Sequence, residues 1–397
     1  MILTNKDGNG HNKTLMFNFE DERKKPVDIK VIGVGGGGGN AINRMIEEHL
    51  EGVDFITMNT DLQVLENSLS KNIVQLGKRL TRGLGTGGDP EIGRKAIEES
   101  KNEVIEKLAD ANMVFITCGM GGGTGTGASP LIADIAKDLG ALTVAIVTKP
   151  FGFEGLQRMN KALKGIEKLK DKVDTLIIVP NQKLLELVSK QTSLKDAFKV
   201  ADGVLFHATK GISDLINKPG LVNLDFADVR SIMQETGDAL MSSGSSSTED
   251  QRGREAAEEA ISSPLIEDDS IKGAKGTIIN ITGGEDLNIN DVNEATSVVY
   301  NEVGPESRII WGAVIDPEMK GEVTVTVIAT GLNHNTFNSE YNKNEVYRNE
   351  KDYSQEPEID IPIIQRVEDD PLEQAMKESL ENNEENNNEF DIRDFDK

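Results

Sequence analysis

Two glycine-dense stretches, each directly behind an apolar run, constrain the fold of this 397-residue chain more than any other feature. One reads "IKVIGVGGGGGNAINRM" from Ile29, the other "ANMVFITCGMGGGTGTGASP" from Ala111. An apolar run that ends in glycines and leads into a helix is a strand–turn–helix unit. Glycine lets backbone N–H groups approach a ligand closely, and the helix N-terminus that follows favours an anion. In a parallel sheet both loops lie at the carboxyl ends of their strands, the edge on which such sheets bind ligands. Two cradles on one edge predict a single phosphate-bearing ligand held from two sides. The first helix is expected to open near Asn40; in the second unit Thr124 and Thr126 add hydroxyl donors, and Pro130 is expected to start the helix.

The rest of the chain fits that frame. Strands are expected at Ile29–Val34, Phe55–Asn59, Ile73–Leu76, Met113–Cys118, Leu142–Thr148 and Leu176–Val179, alternating with amphipathic stretches as β-α units do. A helix should begin at Pro90 behind Asp89 as N-cap, and a long one over 194–216 should stop at Asn217-Lys218-Pro219-Gly220. Beyond it, "KGTIINITGG", "RIIWGAVID" and "GEVTVTVIAT" read as strands around a helix at Ile289–Val303, a smaller α+β domain. The divisions expected are a disordered arm at 1–27, a Rossmann-like α/β domain with the long central helix at 28–222, the α+β domain at 223–331, and a tail at 332–397. That tail holds 7 Lys/Arg against 19 Asp/Glu, a balance of −12 out of −25, and is too polar to fold.

Charge and motif exclude several functions. A net charge of −25 repels nucleic-acid backbones and anionic lipid, and no apolar run approaches the roughly 20 residues a bilayer span needs. One cysteine, Cys118, forms no internal disulfide, and the polar N-terminus lacks a signal peptide's apolar core, so a cytosolic protein is expected. GxxxxGK[ST] is absent, and "NKPG" at 217 and "NKNE" at 342 both miss NKxD. Backbone amides can hold phosphate without a lysine if a metal ion neutralises the charge. "GVGGGG" at 33–38 with Asp54 about 20 residues on also fits a dinucleotide fingerprint, which leaves the second loop without a role.

The blocks "IKVIGVGGGGGNAINRM", "GMGGGTGTGASPLIA", "KPFGFEGLQRM" and "PGLVNLDFADVRSIM", in that order between about Asp28 and Gly331, resemble the FtsZ family, the bacterial tubulin-like cell-division GTPases. The resemblance implies a tubulin/FtsZ-like fold that binds GTP with Mg²⁺. Gly123, Thr124 and Gly125 would touch the β and γ phosphates; Gly36, Gly37, Gly38, Gly39 and Asn40 would touch the α and β phosphates. Glu154 and Arg158 match positions near the ribose, though their spacing also suits a surface ion pair. Asn181 and Asp202 match the guanine-reading positions. A carboxylate there accepts from both N1–H and the exocyclic amine, a donor pair adenine lacks. Phe198, one turn before Asp202, could cover the base or simply pack in the core.

By the same resemblance Asn223, Asp225 and Asp228 form the loop that docks on the next subunit, where the two carboxylates orient water in trans and Asn223 assists. From the residues alone, Asp225 and Asp228 equally suit a helix cap. Assembly-dependent hydrolysis in a head-to-tail filament, and a mid-cell ring at the inner face of the membrane, follow from the family. "IDIPIIQR" at 359–366 resembles the tail peptide that tethers such as FtsA grip, and "EFDIRDF" at 389–395 is a second candidate docking island. Two departures stand out: "GLGTGGDP" at 83–90 where relatives carry alanine, and the serine-rich "MSSGSSSTED" from Met241. A nucleotide-dependent oxidoreductase and a GTP-glued scaffold that barely hydrolyses remain alternatives.

Overall fold

The computed structural model describes residues 2–6, 12–16, 27–189, 191–218, 222, 224–266 and 271–332. Asn223, Pro219, Gly220 and both tail islands lie outside the described residues. Within the N-terminal arm, expected to lack structure, β1 (Ile2–Lys6) and β2 (Asn12–Met16) pair antiparallel, Leu3 opposite Leu15.

Ten further strands form one sheet: β3 (Ile29–Val34), β4 (Asp54–Asn59), β5 (Asn72–Gln75), β6 (Met113–Gly119), β7 (Leu142–Lys149), β8 (Thr175–Pro180), β9 (Gly237–Ser246), β10 (Gly276–Gly283), β11 (Arg308–Ile315) and β12 (Val323–Thr330). Their order is β11-β10-β12-β9-β8-β7-β6-β3-β4-β5. From β5 to β9 every ladder is parallel; β12 then runs antiparallel to both β9 and β10. The six expected parallel strands are present within about a residue at each end. They are legible because a parallel strand buried on both faces is a nearly continuous apolar run, and all eight residues of β7 are buried. The two halves share this sheet through a short ladder, Thr175–Ile177 against Gly237–Ala239.

The helix Leu194–Asn217, N-capped by Ser193, runs along one face. Its Ala201, Leu205, Phe206, Ile212 and Leu215 pack with Val31 and Val144 of the first half and with Ile278 and Ile328 of the second. A separate core fills the opposite face of the first half, around Ile32, Ile116, Ile132 and Val147.

Both glycine-loop helices begin earlier than expected. The first opens at Gly35, so the glycines are themselves helical, and the second opens at Thr124 with Pro130 inside it. Packing overrides propensity here. A Cβ on Gly38 would sit 2.4 Å from the Thr117 carbonyl oxygen, and one on Gly127 1.9 Å from that of Pro90, so both helices approach neighbouring backbone at distances only glycine permits. The stretch after Asp89 forms two helices, Pro90–Glu99 and Lys101–Leu108, broken at Ser100, whose hydroxyl accepts the Gly77 N–H.

Candidate nucleotide site

A cavity of about 440 Å³ opens where β3, β6, β7 and β8 end, lined from those strands by Val34, Gly119 and Thr148 and, just past β8, by Asn181. Both glycine loops face it: Gly35, Gly36, Gly37 and Asn40 from the first, Gly122, Gly123, Thr124 and Gly125 from the second. The geometry explains the need for glycine. Gly36 and Gly122 line the cavity, and a Cβ at either would stand in open space rather than against a neighbouring element. Gly123 has another reason, since a Cβ there would lie 1.9 Å from the Thr86 hydroxyl. Backbone N–H groups at helix starts can hold an anion without a lysine.

Not every expected residue reaches the cavity. Gly38 and Gly39 are buried outside its lining, Gly38 against β6 and Gly39 near Thr57, so they serve helix–sheet packing. Thr124 lines the cavity and shares a 2.7 Å hydrogen bond with the Thr60 hydroxyl. Thr126 does not: its hydroxyl accepts the Gly121 N–H at 2.9 Å and so shapes the loop from behind.

Glu154 and Arg158 line the cavity and are also ion-paired at 3.0 Å, with Glu154 in a 3₁₀ turn and Arg158 in the helix after Gly155. Glu154 accepts a second hydrogen bond, from the Phe151 N–H at 2.8 Å. The surface-pair and ligand-contact readings thus describe the same two side chains.

Asn181, Phe198 and Asp202 line the same cavity. Asn181 is 4% exposed and its Oδ1 is a buried acceptor with no hydrogen-bond partner in the protein. Phe198 is 39% exposed and meets Phe151 edge-on at 5.3 Å, so it belongs to the cavity wall more than to the core. Burial pushes the Asp202 carboxyl up to about 6, against a smaller opposing pull from the Arg44 guanidinium. A carboxyl shifted by burial at a cavity wall marks a candidate functional group.

Thr86, Thr148, Ala201 and Leu205 line the cavity as well, beyond the residues expected from the sequence. Ala201 and Leu205 share a helical face with Phe198 and Asp202, so period 3.6 could have found them. Thr86 stands in the departing "GLGTGGDP" loop, where Gly83, Gly85, Gly87 and Gly88 all take positive φ. Asp225 and Asp228 are not in the cavity lining. They open the helix Phe226–Met233, and although Asp225 holds the N-cap position, its side chain makes no cap hydrogen bond. Cys118 is buried and its thiol is pushed up to about 12, the mark of an inert core residue.

Residues 28–189 match the GTPase domain of the tubulin/FtsZ family, and residues 237–333 match the C-terminal domain of the FtsZ family. A cell division protein FtsZ from Magnetospirillum gryphiswaldense is 54% identical over 311 residues, 77% of this chain and 55% of that relative. The chain therefore spans just over half that relative's length. Among solved structures, an empty FtsZ dimer from M. jannaschii is 45% identical with a TM-score of 0.75, covering 78% of this chain and 90% of its own. CetZ2 from Haloferax volcanii, solved as a GTPγS-bound protofilament, shares the fold with a TM-score of 0.66 at 19% identity, covering 76% and 92%. With the two-loop cavity, the shared ten-stranded sheet and matches to both domains, the chain belongs to the FtsZ family of tubulin-like cell-division GTPases.

Proposed function

We propose that the chain binds GTP in this cavity and hydrolyses it only when a second copy docks Asp225 and Asp228 on the nucleotide, which ties turnover to head-to-tail filament growth. The observation that supports this most is a division of labour. The carboxylates lining the cavity are Glu154 and Asp202. Glu154 is held by Arg158 and the Phe151 N–H, and Asp202 stands with Asn181 and Phe198 as a reader of the base. The pair suited to polarising water lies outside the cavity, on another helix.

In this reading, N–H groups of Gly35–Gly37 and Gly122–Gly125 bind the phosphates. Asp202 accepts from N1–H and the exocyclic amine of guanine, and the Phe198 ring covers the base. The hydroxyls of Thr86 and Thr124 in the cavity lining are hard oxygen donors, which would suit a site that takes Mg²⁺ with its nucleotide. When bound, such an ion would supply the counter-charge a Walker lysine supplies elsewhere. Asp225 and Asp228 of the neighbour, with Asn223, then orient a water in line with the γ-phosphate. With the nucleotide in the cavity and the carboxylates on a different helix outside it, the contact between copies is heterologous and propagates as a filament.

The division ring, and a tether such as FtsA gripping 359–366, belong to the same proposal. Among the described residues no helix is long and apolar enough to cross a membrane, so attachment through a partner is the simpler route. The oxidoreductase alternative loses its support, since both glycine loops line one cavity. Asp228→Ala tests the proposal: GTP affinity should hold while turnover falls about 10²–10⁴-fold, the range for losing a positioned base. Unchanged turnover rejects the role in trans.

A further inference from the structure

The docking face poses an electrostatic problem. Two carboxylates must approach a triphosphate as water leaves the interface, and like charges brought together there oppose docking. The structure places a cation beside one of them. Arg308, at the start of the edge strand β11, lies with Nη2 3.7 Å from Oδ1 of Asp228. Its backbone is anchored, since the Arg308 N–H donates to the Lys275 carbonyl at 2.9 Å, while its side chain stays 59% exposed and Asp228 48% exposed. The other arginine near this helix start is committed elsewhere: Arg230 donates to the Gly140 carbonyl at 2.6 Å and lies over the Phe226 ring.

In the free subunit an exposed pair at this separation contributes little to stability. Its geometry makes sense for docking, where the same charges enter a drier environment and interact more strongly.

We propose that Arg308 is a positioning residue of the hydrolytic face: it pairs with Asp228, offsets its charge as the face closes on the neighbour's nucleotide, and fixes the carboxylate's orientation. This rests on the reading in which Asp228 acts in trans. Asp228 meets Arg308 from β11 and shares its own helix with Asp225 and Arg230.

The test uses the full chain with GTP and Mg²⁺, comparing wild type, Arg308→Gln, Arg308→Lys, Asp228→Asn and the double variant Asp228→Asn/Arg308→Gln. Arg308→Gln should leave nucleotide binding to dilute subunits unchanged and raise the threshold concentration for assembly about 3–10-fold; Arg308→Lys should recover most of that. In the Asp228→Asn background, with assembly followed by sedimentation, Arg308→Gln should change the threshold less than about 2-fold, because the charge it serves is gone. An unchanged threshold in Arg308→Gln, or the same shift in both backgrounds, overturns the proposal. Asp228→Asn keeping full turnover instead overturns the underlying reading, and that result is separate because it does not involve Arg308.

Discussion

At the scale of single residues, the glycines of one loop separate into two jobs that a run of identical letters conceals. Gly36 is helical and a Cβ there meets nothing, whereas a Cβ on Gly38 would press to 2.4 Å on the Thr117 oxygen. Gly36→Ala should therefore raise thermal stability, by up to about 0.5–1 kcal/mol from reduced chain entropy, while weakening nucleotide binding by crowding the cavity. Gly38→Ala should destabilise by roughly 1–3 kcal/mol through overpacking. Calorimetry and nucleotide titration on the two proteins check both directions. Asp202 makes the other residue-scale prediction. Its folded carboxyl, pushed up to about 6, stands above the ordinary 3.8. The stability it contributes is thus fully present below about 3.8 and is lost as pH rises through about 6, leaving an ionised, partly buried group at pH 7. Asp202→Asn should stabilise the nucleotide-free protein at pH 7 by roughly 1–2 kcal/mol, a gain that vanishes near pH 3.5, and should abolish preference for guanine over adenine nucleotides. In the wild type, GTP affinity should decline below about pH 6. A variant that keeps guanine preference would remove Asp202 from the base-reading role.

At the scale of elements, what was legible in the sequence followed burial. The central parallel strands appear as apolar runs, and Asp89-Pro90 marked its helix correctly because a cap and a first-turn proline act locally, with the Asp89 side chain accepting the Glu91 N–H. β9 was not legible. Its "GDALMSSGSS" replaces apolar residues by hydroxyls, and those pair across to β12: Ser243 with Thr326 at 3.1 Å and Ser245 with Thr324 at 2.8 Å. No period-2 apolar pattern can announce a strand held partly by cross-strand hydroxyl pairs. Helix starts at the glycine loops were misplaced for the opposite reason, since low propensity was overridden by close packing. The long helix carrying Phe198 and Asp202 offers a test at this scale. Ser193 caps it, accepting the Asp196 N–H at 3.2 Å, so Ser193→Ala should cost about 0.5–2 kcal/mol in denaturant unfolding and fray the turn before Phe198.

For the whole molecule, one core reaches from the cavity to the helix Phe226–Met233. Ala201 and Leu205 line the cavity and belong to the same cluster as Val229, Ile232 and Met233 of the helix that Asp225 and Asp228 open. Charge acts at this scale too. The segment 332–397 carries −12 of the chain's −25, so a chain ending at Leu332 should assemble at a lower threshold, with turnover per assembled subunit unchanged. Sedimentation against concentration at fixed salt measures it. On the proposed mechanism the hydrolytic site is split between two copies. The most direct measurement is the GTPase rate per subunit as a function of protein concentration, with Mg²⁺ and with ATP and NAD as controls. A split site should show a threshold below which GTP turnover vanishes and above which it rises to a plateau. A rate per subunit that is flat down to the lowest concentration would contradict it, because each chain would then carry a complete site of its own.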